Sequence, residues 1–184
     1  MTRSRRLRVE SLEDRRMLAT FTVTNLLDGP VTAAGQLPGS LRQALFDANA
    51  LAGADEIEIG VNGTLTLSAG ELRVTSELTI EGPGAELLTI DASGNDPTPA
   101  IHNGDGSRIF RIDDGNDSQF LAVAISGLML TGGDAGGTFE QSAGGAIYSR
   151  ESLTLFDATL TDNASRSSGG AIYSANAQDG LTVI

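Results

Sequence analysis

The hexapeptide GGAIYS occurs at residues 144–149 and again at residues 169–174. A spacing of 25 residues lies in the range of stacked repeat units. Such a unit cannot bury its apolar face alone, so it must stack on a neighbour. The segments before the two copies also align. ISGLMLTGG (125–133) falls over LFDATLTDN (155–163), with Leu130-Thr131 above Leu160-Thr161. One repeat therefore reads strand, short corner, strand, loop, Gly-Gly corner, strand. Stacked strands become parallel and about 4.8 Å apart. The expected ladders are Ile147 over Ile172, Tyr148 over Tyr173 and Leu130 over Leu160. Gly144, Gly145, Gly169 and Gly170 suit corners that need positive φ or close backbone approach, and Ala146 and Ala171 keep them narrow. Ile147 and Ile172 are expected to point inward and the tyrosines outward, although the motif alone also allows the opposite parity.

The rest of the chain supports the same architecture. Short apolar alternations recur as TLTL (64–67), ELTI (77–80), LLTI (87–90), RIFRI (108–112), LAVAI (121–125), LMLT (128–131), LTLF (153–156), ATLT (158–161) and LTV (181–183). Each suits a strand and is too short for an ordinary helix. No NG or DG pair joins two runs at tight-hairpin spacing. Upstream, FTVTN (21–25) and EIEIG alternate as strands. Between them SLRQALFDANALAG reads as an amphipathic helix over 41–51. Ser40 precedes Gln43 by three residues, a capping-box spacing. Leu41, Ala44, Leu45 and Ala48 share one face, and Gly53 is placed to stop the helix. The expected division is a basic segment 1–19, an N-terminal cap 20–63 and coils 64–184. Because the last run sits at the end of the chain without a capping segment after it, a longer parent protein is expected.

Composition narrows the chemistry. The chain is 40 % hydrophobic but 4 % aromatic, so its core rests on aliphatic residues. The net charge is −12 and all positive side chains are Arg, six of them within residues 1–19. An acidic body repels a phosphate backbone, so nucleic-acid binding by the body is not expected. No Cys is present, which excludes disulfides and thiol catalysis. No apolar run reaches the ~20 residues of a membrane helix.

Three resemblances extend this reading. RRLRVESLEDRRMLA is similar to a planctomycete-type sorting signal, which implies export to the cell surface, the outer membrane or the medium. GGAI at 144–147 and 169–172, with LTDN ending at Asn163, resembles the GGAI/FxxN repeats of polymorphic outer-membrane proteins. Leu160 stands where that pattern has Phe. PGSLRQALFDANALAGADEIEIG resembles the CSLREAI segment that caps such coils, with Gly39 in place of Cys and Gln43 in place of Glu. Together they imply an all-β, right-handed parallel β-helix with a short capping helix, in an exported surface protein of adhesin-like role. The rod would present loops such as 132–143 to a surface ligand, a polysaccharide or another protein.

The alternative is a polysaccharide-binding or polysaccharide-degrading β-helix of lyase or hydrolase type. It would need carboxylates from successive coils on one flank, and the repeats show no such column. Asp113, Asp114 and Asp117 are the candidates for a hard cation such as Ca²⁺, but they share one loop that also reads as solvated surface. His102, the single histidine, has no second His or thiol beside it in sequence and reads as an exposed loop residue. Tyr148 and Tyr173 read either as a strip that stacks on sugar rings or as cover for a flank. No catalytic residue and no cofactor are expected.

Overall fold

Alternation with a period of two sends every second residue of a short run to one face. In the computed structural model, which describes residues 18–138, 140–175 and 180–184, those residues form the core. Ile57, Ile59, Leu78, Ile80, Val123, Ile125, Leu153 and Leu155 are all buried. The sorting-signal segment falls on residues 1–17, outside the described residues, apart from Leu18 and Ala19.

The chain begins with β1 (Thr20–Val23), helix α1 (Leu41–Ala48), β2 (Asp55–Ile59), β3 (Gly63–Thr66) and β4 (Leu72–Val74). It continues through β5 (Leu78–Glu81), β6 (Leu88–Asp91), a 3-10 turn at Ser93–Asn95, β7 (Phe110–Ile112) and β8 (Ala122–Thr131). Then come β9 (Asp134–Ala135), β10 (Ile147–Ser149), β11 (Ser152–Leu160), β12 (Ala164–Ser165), β13 (Ile172–Ser174) and β14 (Leu181–Val183). Every strand pairing among the described residues is parallel.

One sheet runs β1-β2-β5-β8-β11-β14, with β3 and β6 joined to it through β8. A second runs β4-β7-β10-β13, and β9 pairs with β12. The first sheet holds an apolar column of Phe21, Ile57, Ile80, Ile125, Leu155 and Val183 in register. The second holds Leu72, Phe110, Ile147 and Ile172. Leu130 pairs with Leu160. Ile147 is fully buried, and Ile172 packs against the core from a partly buried position. The fold is thus a mostly-strand, solenoid-like stack of parallel strands around one continuous apolar core, aliphatic except for Phe110 and the partly buried Phe21.

The sequence suggests two strands and a corner at 121–131 and again at 153–161. The structure instead shows one continuous strand at each place. The corner is compressed into a single left-handed residue, Gly127 (φ 65°) in β8 and Asp157 (φ 46°) in β11. One such residue redirects the chain while the ladder continues on both sides. The limb before Gly127 pairs with β5 and the limb after it with β6.

Helix α1 ends at Ala48 rather than at residue 51. The Ala50 and Leu51 amides bond to Asp47 and Ala48 carbonyls in a tighter turn. Asn49 is the C-cap, still helical in its backbone, and its side chain donates to the Arg73 carbonyl (2.9 Å) and accepts from the Thr75 amide (2.8 Å). At the other end Ser40 Oγ accepts from the Gln43 amide at 3.1 Å, as the capping spacing requires. Gln43 does not complete the reciprocal half of the box. Its Oε1 accepts from the Leu37 amide at 3.0 Å instead. Leu41, Ala44, Leu45 and Ala48 enter the same core as the strands.

Candidate functional site

The outer face of the second sheet carries a dense set of charged and aromatic side chains. Alternation places Arg73, Arg111, Tyr148 and Tyr173 in one outward column, in register across β4, β7, β10 and β13. The tyrosine rings stack at 5.6 Å between centroids with 19° between planes. Guanidinium groups of Arg108 and Arg111 lie 5.1 and 5.5 Å from the Tyr148 ring centre, within cation–π range.

Arg108 is the centre of this arrangement. It is 3 % exposed. Its Nε contacts Glu71 Oε2 at 2.9 Å. Its terminal nitrogens donate to the carbonyls of Ala143, Glu140 and Gln141, each at 2.7 Å. A planar fork with five donors suits this multiple recognition better than an ammonium would. Burial pulls the Arg108 guanidinium below its ordinary value, with the Glu71 charge opposing. The bonds tie the segment before the first GGAIYS to Arg108, which with Arg111 and Tyr173 covers Tyr148, 2 % exposed. Tyr148 is therefore part of a packed flank, and its ring face is not open to a sugar. Burial, then the Glu140 charge, pushes the Tyr148 hydroxyl up.

The remaining arginines of the flank are also paired. Arg73 meets Glu71 at 3.1 Å, Arg111 meets Asp113 at 2.7 Å and Arg150 meets Asp117 at 2.6 Å. A shallow groove of about 210 Å³ runs beside them, lined in part by Arg73, Arg108, Arg111 and Gln141. Chemically this is a neutralised, stacked surface suited to contact and rigidity.

The candidate cation ligands of the 113–117 loop do not converge. Asp113 binds Arg111 and accepts from the Gly115 amide at 2.9 Å, Asp114 accepts from the Asn116 amide at 2.7 Å, and Asp117 binds Arg150. Burial works against the Asp113 charge, but the Arg111 hydrogen bond outweighs it and holds that carboxyl below the usual range. His102 lies 3.2 Å from Asp162 with its side chain 46 % exposed. Asn163 has no asparagine beneath it. It donates to the Leu130 carbonyl at 2.9 Å and accepts from the Gly133 amide at 3.0 Å, which ties its coil to the preceding one.

The Gly-Gly pairs are corners. Gly144 and Gly169 both have φ of 66°. A Cβ on Gly145 would strike the Ala164 and Gly170 carbonyls, whereas one on Gly170 would meet nothing within 4 Å. Two groupings were not legible in the sequence. Glu71 and Arg108 pair across a long intervening segment, and Asp96, Asp105 and Asp134 bring a carboxylate oxygen each to within 4.8 Å of one another. Only the stacking of coils brings such separated residues together, so no local spacing announces them.

Among protein-family models, curated proteins and solved structures, none matches this chain.

Proposed function

We propose that this chain is the scaffold of an exported cell-surface protein, a right-handed parallel β-helix that acts by display and contact. The observation that carries the reading is the constancy of register beside the variability of connections. Successive members of one column are 23 residues apart between Asp55 and Leu78 but 45 apart between Leu78 and Val123, yet both pairs are in register. Loops of any length can leave such a stack without disturbing it, which is what a display scaffold needs. Right-handed winding follows from the strong preference of parallel crossovers for that hand. Helix α1, packed against β1, β2 and β4, serves as the N-terminal cap. The charge-paired flank around Arg108 then stiffens one side of the rod, and neighbouring loops meet a polysaccharide or protein ligand.

The experiment is surface accessibility of the full reading frame in its native host. An epitope is inserted after Asn116, in an exposed turn, and intact cells are probed with antibody. Labelling of unbroken cells is expected. An epitope detected only after lysis would overturn the export reading. Incubation of the purified chain with neutral and acidic polysaccharides separates the enzymatic alternative, since release of new reducing ends or unsaturated products would favour a hydrolase or lyase.

A further inference from the structure

We propose that Asp96, Asp105 and Asp134 form a calcium site that fastens the long β6–β7 connection to the next coil. The inference does not depend on the display reading. One oxygen from each carboxylate lies within 4.8 Å of the other two. Oxygens about 2.4 Å from a shared Ca²⁺ are at most about 4.8 Å apart, whereas Mg²⁺ at about 2.1 Å requires a tighter set.

Asp134 supplies the independent observation. It is 4 % exposed. Its Oδ2 accepts from the Asn103 amide at 3.1 Å and the Gly104 amide at 2.7 Å. Its Oδ1 is buried with no hydrogen-bond partner. A buried carboxylate oxygen left without a donor is costly, and a cation in the cluster would satisfy it.

The surroundings fit a hard cation. Asp96 Oδ1 accepts from the Thr98 amide at 2.7 Å, and Asp105 accepts from Thr98 Oγ1 and from Asn103 Nδ2 at 3.1 Å. These bonds orient the carboxylates without neutralising them. Among the described residues no Arg or His forms an ion pair with any of the three. Gly106 keeps the space open, since a Cβ there would lie 3.0 Å from Asp96 Cβ and 3.3 Å from Asp134 Cβ.

The test uses the full chain, dialysed against chelator and then titrated with CaCl₂ by calorimetry. Thermal unfolding is followed in parallel with chelator, Ca²⁺ and Mg²⁺ at constant ionic strength. One site is expected, with Kd on the order of 10⁻⁴ to 10⁻³ M. At 10 mM Ca²⁺ the Tm should rise by roughly 4–8 °C, with a smaller rise for Mg²⁺. The double variant Asp96→Asn, Asp105→Asn should fold, be at least as stable as the parent in chelator, and lose the calcium response. Asp117→Asn should retain it. Equal Tm with Ca²⁺ and chelator, or a calcium response that survives in the double variant, would overturn the site.

Discussion

At the level of single residues, the two GGAIYS copies are chemically identical but energetically different. Gly145 is roofed by the next coil, and Gly170 is open on that side. Gly145→Ala should therefore destabilise the chain by about 2–3 kcal/mol through overpacking against backbone carbonyls. Gly170→Ala should stay within about 0.5 kcal/mol. Urea midpoints at unchanged m-value check both. Asp157 performs with a side chain what Gly127 performs without one in the coil before. Asp157→Gly should raise stability by about 0.5–1 kcal/mol, since an L-residue pays a steric cost at positive φ. Asp157→Val should lower it. The glycine corners were legible from the repeat. The left-handed aspartate was not, because its conformation is dictated by alignment with Gly127.

Elements depend on ties that run between them. Asp28, in the loop before α1, is linked to Arg42 by contacts of 2.6 and 3.1 Å. It also accepts from the Ser68 amide at 2.6 Å and the Ala69 amide at 3.1 Å. Arg42 in turn donates to the Glu71 and Gly70 carbonyls at 2.9 and 2.8 Å. One buried pair thus joins the loop, the helix and the approach to β4. Asp28→Asn should destabilise by about 1–3 kcal/mol, because the part-buried Arg42 guanidinium would lose its charged partner. Burial opposes the Asp28 charge, but the Arg42 hydrogen bond and the two amides outweigh it, so its folded pKa lies below the ordinary value. The sign follows directly. The stabilisation is present above about pH 4 and is lost as pH falls through the lowered value. Stability measured between pH 6 and pH 2 should therefore fall less steeply in Asp28→Asn than in the parent. The helix itself was legible from Ser40 and its apolar face. Its early end was not, because the side chain of the C-cap Asn49 is tied to the β4 backbone, a strand whose three residues carry too short an alternation to stand out.

In the molecule as a whole, register and connection length are separate quantities. Glu151, 2 % exposed, accepts from the Asp114 amide at 3.2 Å and the Leu121 amide at 2.8 Å, which clasps both ends of the intervening loop. A ten-residue Gly/Ser insertion after Asn116 should consequently cost under about 1 kcal/mol, as loop closure grows slowly with length. A single residue inserted after Ile125 should abolish cooperative unfolding, because it turns the apolar set of one limb to the wrong face. Circular dichroism melts of the two variants decide this. The sequence by itself determined the alternation within the short runs, the glycine corners and the helix that starts after Ser40, since each of these depends on neighbours a few positions away, whereas the parity of the GGAIYS strand was decided by the fold. Only the tertiary structure decided what the coils place side by side. Arg108 over Tyr148, Glu71 beside Arg108, and Asp96 and Asp105 against Asp134 are contacts between successive turns of the stack. The irregular loops between those turns erase any fixed spacing that could have announced such contacts in the sequence.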